Sequence, residues 1–352
     1  MRRNVDGTGG SVRLAATMPG RLRTLLLTLL VIFVVAMLAL VLFTTGRTLP
    51  RPTLPNPNGF DDFIKASEAV GGSVGDYHTL DRASLDALVS TNAESLRLLR
   101  LGLTRQCVMP MDSALTNATG MMSQLADMKR LVLLLAAEGR LREMNDRPAD
   151  AARSYTDAIR FGNEMSRGGF IITRLVGAAC ESIGCHALAM VVPKLSREEV
   201  RAVESELEKV EADHVTWSEV LRNEKSYVRY QLRGRFNPVF WVMSWWQTRQ
   251  AIERAEIKHK TVIAHERLLM AELALRCYQS ERGSVPVHLD NLVTNFLSKI
   301  PKDPFTGQAM VYHPQDTNWL LYSVGPDGVD DGGRPAGRGW PVKGDILFDS
   351  SW

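Results

Sequence analysis

The run LLLTLLVIFVVAMLALVLF, from Leu25 to Phe43, has no charge and a single hydroxyl. As an α-helix it nearly crosses a hydrocarbon core about 30 Å thick, which takes about 20 residues. A secretory signal peptide has a shorter apolar region of about 7–15 residues, followed by a small-residue cleavage site. This run is longer, and the TTGRTLP that follows offers no A-x-A. An uncleaved anchor is therefore expected. Arg2, Arg3, Arg13, Arg21 and Arg23 precede the run, whereas Arg47 and Arg51 follow it and give way to Asp61 and Asp62. Positive flanks stay in the cytoplasm. The expected topology is a single pass with the N-terminus inside, membrane lipid around Leu25–Phe43, and the remaining domains across the membrane.

Beyond the anchor, RTLPRPTLPNPNG (Arg47 to Gly59) contains four prolines and reads as an extended spacer. A short helix is expected near Asp61–Val70. GGSVG (Gly71 to Gly75) matches the G-x-S-x-G pattern, but a nucleophile elbow needs a strand before it and a helix directly after. Neither flank fits, so a loop is expected. Charge is nearly balanced, with 42 Lys+Arg against 39 Asp+Glu, which argues against nucleic acid as a partner.

From Leu80 to about His259 the periodicity is helical. Leu96, Leu99 and Leu103 share one face. MKRLVLLLAAEGRLREM is nearly all apolar in its middle and should be buried. Asp146-Arg147-Pro148 ends it, and ADAARSYTDAIRFGNEM resumes. Gly139, Ala151, Tyr155 and Ala158 fall at the spacing of one tetratricopeptide repeat, in which small residues let two helices pack closely. No second copy follows, so an αα-hairpin inside a helical domain is expected. FIITRLVGAACESIGCHALAMVV reads as a packed core helix ended by Pro193. Ser196-Arg-Glu-Glu is a cap signal for a charged helix expected to run to about Arg235. In FNPVFWVMSWWQTRQ, Trp241 and Trp245 lie on one helical face beside Trp246. Packing between domains is the simpler reading, and a dip into the headgroup layer is the alternative.

Known catalytic signatures are absent. No P-loop, H-E-x-x-H or dinucleotide glycine fingerprint occurs. HERLLMAE (His265 to Glu272) begins like a zinc protease helix, but position 269 is Leu. The seven histidines are scattered and are read as surface or capping residues. Cys107, Cys180, Cys185 and Cys277 form no C-x-x-C. Cys180 and Cys185 fall on different faces of one helix, so buried free thiols are expected. Together these features argue against an enzyme.

From Val262 the character changes. A helix ended by Gly283 is expected, then a short helix near His288–Phe296 and strands at Met310–Tyr312, Trp319–Tyr322 and Ile346–Phe348. YSVGPDGVDDGG (Tyr322 to Gly333) combines left-handed turn residues with hard anionic oxygens, as a calcium loop does, though Gly and Asp also form ordinary turns. The order of long helix, G-x-V-P, KDPFTG, aromatic strand, YSVGPDG and GDI resembles the C-terminal region of the major pseudopilin of type II secretion, over about residues 262–349. That family binds calcium in its terminal loop. The resemblance implies Ca2+ at Asp327, at Asp330 or Asp331, and at Asp345. The long chain between span and module, and a span without an acidic residue, argue against packing into a pilus filament. The whole chain also looks like a group of bacterial membrane-anchored proteins that join such a module to a helical domain, which implies an inner-membrane location and no particular activity.

The expected fold class is thus mainly α: a transmembrane helix, a helical extracytoplasmic domain, and a small α+β module with a short antiparallel sheet. The expected segments are a basic tail (1–23), the span (24–45), linker and short helix (46–79), helical domain (80–261) and module (262–352). The expected role is structural or interactive, with a protein partner in the cell envelope. The alternatives are an accessory component of a type II secretion system and an envelope hydrolase with an unrecognised site.

Overall fold

The computed structural model describes residues 28–38, 53–110, 118–231, 238–293, 295–337 and 339–348, and all of their side chains except those of 118–119 and 229–248. The fold is mainly helical with one three-stranded antiparallel sheet. Helix α1 (Thr28–Leu38) is apolar. The body follows as α2 (Gly59–Glu68), α3 (Arg82–Thr91), α4 (Ala93–Leu103), α5 (Ala118–Met144), α6 (Pro148–Ser166), α7 (Ile171–Val191), α8 (Arg197–Ala212), α9 (Trp217–Gln231) and α10 (Pro238–Arg282).

Local chemistry sets most of these boundaries. The Asn58 side chain accepts from Phe60 N–H and opens α2. Between α5 and α6, Asp146 takes a left-handed φ of 56° and Pro148 starts the next helix at N1, where its missing N–H costs nothing. Ser196 and Glu199 form a reciprocal capping box, with Ser196 N–H bonded to Glu199 Oε2 at 2.7 Å. Gly283, at φ 69°, terminates α10 and donates to Gln279 O.

The expected hairpin packing holds in detail. A Cβ on Gly139 would lie 2.2 Å from the Tyr155 ring, so α5 and α6 approach closely only because that position is bare. Tyr155 then donates to Glu143 Oε1 at 2.7 Å. Leu131, Val132, Leu134 and Leu135 of α5 are fully buried, as the apolar run requires.

Helix α7 forms the centre of the body. Ile171–Lys194 is long and apolar enough to cross a membrane by length and composition, and half of it is buried inside the protein. It packs against α5, α6 and α10. Gly162, Gly177 and Gly184 let α6 and α7 meet backbone to backbone. One apolar cluster includes Phe63, Leu99, Leu131, Phe161 and Cys180; a second joins Tyr155, Cys185, Leu207, Leu268 and Leu321; a smaller third gathers Tyr77, Leu85 and Leu141. Cys180 and Cys185 thus serve different clusters, and all four cysteines are free and buried.

The charged helix after Ser196 does not reach Arg235. It breaks at Asp213–Thr216 into α8 and α9. Asn163 of α6 holds the break from outside: its Oδ1 accepts from Val215 N–H at 2.9 Å, and its Nδ2 donates to Asp213 O. Thr216 Oγ1 then accepts from Glu219 N–H and opens α9.

The 45-residue α10 runs unbroken through residues 261–262, where the module was expected to begin. Its C-terminal half carries the sheet β1 (Val311–Pro314), β2 (Trp319–Ser323) and β3 (Ile346–Leu347), in the order β1-β2-β3. The register pairs Val311 with Tyr322 and Ser323 with Ile346. Leu321, Ile346 and Met310 join the core that also contains Leu268 and Leu275 of α10. The short second helix appears as a 3-10 turn, Leu289–Leu292. The backbone of the tryptophan segment is helical from Pro238, while the side chains of Trp241, Trp245 and Trp246 lie outside the described residues.

Candidate functional site

The C-terminal loops are built around two buried carboxylates. Asp303 of KDPFTG accepts from Phe305 N–H at 2.8 Å through Oδ1 and from Val324 N–H at 2.9 Å through Oδ2. It therefore ties that turn to the YSVGPDG turn. Asp345 is fully buried and accepts from the N–H groups of Asp331, Gly333 and Arg334, at 3.4, 2.7 and 3.2 Å. Asp330 accepts from Tyr322 OH at 2.8 Å and Gly332 N–H at 2.9 Å. Asp327 accepts, at longer range, from Val329 and Gly344 N–H. The four aspartates thus share one loop system. Asp345 sits beneath it, Asp331 is half-buried, and Asp327 and Asp330 face outward.

A second feature is a cleft of about 730 Å³ with α6 along one side and α8 along the other. Arg100, Arg142, Arg147, Arg153 and Arg160 line it, with Asp150, Asp157, Glu199 and Glu206. The arginines share few acids. Arg100 binds both Glu138 and Asp157, Arg142 also binds Glu138, Arg147 and Arg153 both bind Asp150, and Arg160 donates to the Leu103 carbonyl. The α6 side is therefore basic, and the α8 side contributes Glu199 and Glu206.

The third feature is a polar cluster inside the core. Arg174 and Glu181, both on α7 and both fully buried, form a two-pronged ion pair at 2.6 and 2.5 Å. Arg174 Nε also donates to His259 Nδ1 at 2.8 Å, and its Nη1 to Ser166 Oγ at 3.2 Å. Opposite lie His214, delivered by the α8–α9 break, and Glu266 of α10. His214 Nε2 is 3.8 Å from Glu181 Oε2 and 3.5 Å from Glu266 Oε2. Burial and the nearby Arg174 charge hold His259 neutral, its pKa lowered to about 3. Burial and the Glu181 charge push Glu266 up to about 8. Burial also acts on His214, but contact with Glu181 and Glu266 outweighs it and raises its pKa.

These positions correct the reading of the histidines. His259 and His265 are buried and the His214 ring is almost enclosed, so none of the three is a surface residue. The HERLLMAE stretch contributes through Glu266, while Leu269 packs in the core. Local spacing carried no sign of this cluster, because its members come from α6, α7, the α8–α9 break and α10.

Glu204 of α8 is a separate buried acid whose Oε1 has no hydrogen-bond partner. Glu208 and Arg201 of the same helix and Cys277 of α10 surround it. Burial, then the Glu208 charge, raises its carboxyl to about 8. The folded protein holds this proton above pH about 4.5, where the unfolded chain releases it, so stability falls as pH rises toward 8. Glu204→Gln is expected to flatten that decline and to stabilise the protein at pH about 8 by roughly 2–4 kcal/mol. Urea denaturation at several pH values measures it; a slope unchanged from wild type would exclude this assignment.

No protein-family model matches the chain, and neither a curated protein nor a solved structure matches it.

Proposed function

We propose that the protein is a non-catalytic interaction protein tethered to a bacterial inner membrane through Leu25–Phe43, with an extracytoplasmic cleft that receives an acidic peptide segment of an envelope partner. The observation that carries this reading is the charge layout of the α6–α8 cleft. Arg147 and Arg153, both exposed, share a single aspartate at its rim, so carboxylates of a partner meet cations that are incompletely neutralised. The tether is supported by α1, whose large apolar side chains, Met37 excepted, are more than half exposed. Water gives such a surface no stabilisation and lipid does.

The test is a photo-crosslinking side chain at Ala202, exposed on the α8 side of the cleft, in the full-length chain in its native membrane. The expected result is an adduct with one envelope protein that disappears when Arg147 and Arg153 are both changed to Glu. No adduct, or one indifferent to charge reversal, would overturn the proposal. A pseudopilin in the adduct would select the secretion-accessory reading. Calcium at Asp327, Asp330, Asp331 and Asp345 belongs to the proposal through the resemblance alone. A rise in Tm with millimolar calcium that Asp327→Ala removes is its expected sign, and an indifferent Tm refutes it.

A further inference from the structure

We infer that Glu181, His214 and Glu266 form a structural zinc site that locks α7, α10 and the α8–α9 break together. One ligand atom from each residue lies within 4.8 Å of the others. A tetrahedral zinc ion about 2.0–2.1 Å from each donor would set the donors about 3.4 Å apart. The observed 3.5 Å from His214 Nε2 to Glu266 and 3.8 Å to Glu181 need a contraction of a few tenths of an ångström, and the two carboxylates, within 4.8 Å of each other, close the third side.

Two further observations point to a cation. His214 Nε2 and Glu266 Oε1 have no hydrogen-bond partner although both side chains are more than nine-tenths buried. Buried polar atoms without partners are rare in folded proteins. The other ring nitrogen, His214 Nδ1, lies 3.2 Å from the Val215 carbonyl, which can only accept. Nδ1 therefore carries the proton and Nε2 faces the two carboxylates. Zinc-binding histidines are oriented in this way by a backbone carbonyl on the far nitrogen. Without a cation, a lone pair would face two carboxylate oxygens. A proton on Nε2 is the competing occupant of that space.

The surroundings match a ligand shell that is held in place. Arg174 grips Glu181 and is itself fixed by His259 and Ser166. Donor chemistry selects the metal. One imidazole and two carboxylates suit zinc, whereas calcium takes about six to eight oxygens and magnesium about six, mostly waters. The side chains of Glu181, His214 and Glu266 are only 0%, 8% and 4% exposed. The site is therefore closed to solvent; its three protein donors would leave the fourth tetrahedral position to a water enclosed with the ion, which would load as the chain folds.

The experiment uses the full-length chain purified in detergent from cells supplied with zinc. Metal analysis is expected to find about one zinc per chain. Glu266→Gln, which keeps the shape and a hydrogen-bonding head, is expected to lose it while helicity by circular dichroism is retained. His214→Cys, which keeps a zinc ligand, is expected to retain it. Growth on cobalt in place of zinc adds a readout that needs no variant: the wild type is expected to show the visible absorption of tetrahedral cobalt. Wild-type protein without bound metal, Glu266→Gln with its full zinc, or cobalt protein lacking that absorption would each overturn the inference. The cluster would then be a proton-sharing Glu–His network.

Discussion

Arg174→Met is expected to destabilise the protein by about 3–5 kcal/mol, the usual effect of removing one member of a buried ion pair. The cost arises from what stays behind. Glu181 remains at zero exposure with its carboxylate facing Glu266, and His259 Nδ1 loses its donor. Burial alone would push the Glu181 carboxyl up; the Arg174 guanidinium and His214 outweigh it and hold the pKa at about 2. Denaturant titration of the full-length protein measures the change. The control is the double variant Arg174→Met with Glu181→Leu. It removes both charges and is expected to recover most of the loss in the presence of chelator, since apolar replacements of a buried pair are often neutral. A single variant as stable as wild type would show that water reaches the pair and that the cluster is not closed.

Gly177→Ala is expected to cost about 3 kcal/mol, at the upper end of the range for overpacking. Its Cβ would lie 2.3 Å from the Gly162 carbonyl oxygen, and a Cβ on Gly162 would lie 2.6 Å from that of Gly177. The obstacle is backbone on both sides, so no side chain can swing away. Helices α6 and α7 must separate, and Glu181, one turn beyond Gly177, moves with α7. A shift in the denaturation midpoint measures the effect, and loss of bound metal in the same variant would tie packing to the cluster. Gly337→Ala is the matched control, because nothing lies within 4 Å of its Cβ position. Equal midpoints for the two variants would contradict the close approach.

The parts of this protein that were legible in the sequence are those decided over a few residues. Asp146-Arg147-Pro148 stops α5 and starts α6 because a left-handed residue and a proline act on the backbone beside them. Ser196 with Glu199 opens α8, and Gly283 closes α10, for equally local reasons. The Gly139–Tyr155 contact was readable because hairpin geometry brings those positions together whatever else surrounds them. The C-terminal strands followed from short apolar and aromatic runs bounded by turn formers.

The break at Asp213–Thr216 and the cluster it completes were not legible. Nothing between Ser196 and Arg235 forbids a continuous helix, and the one local signal there is the cap Thr216-Trp-Ser-Glu219. The break is held by Asn163, 52 positions from Val215 along the chain. Arg174 meets His259 across 85 positions. Asp345 reaches back 12 positions to organise a glycine-rich loop that sequence alone reads as a row of ligands. In each case a polar group finds its partner only once helices have packed, because the cost of burying it is offset by a group on another element. The local code therefore determined most of the described helices, most of their ends and the strands, but not the α8–α9 break. Only the tertiary structure decided which of its charges are buried and what they face, since that depends on the desolvation that packing imposes.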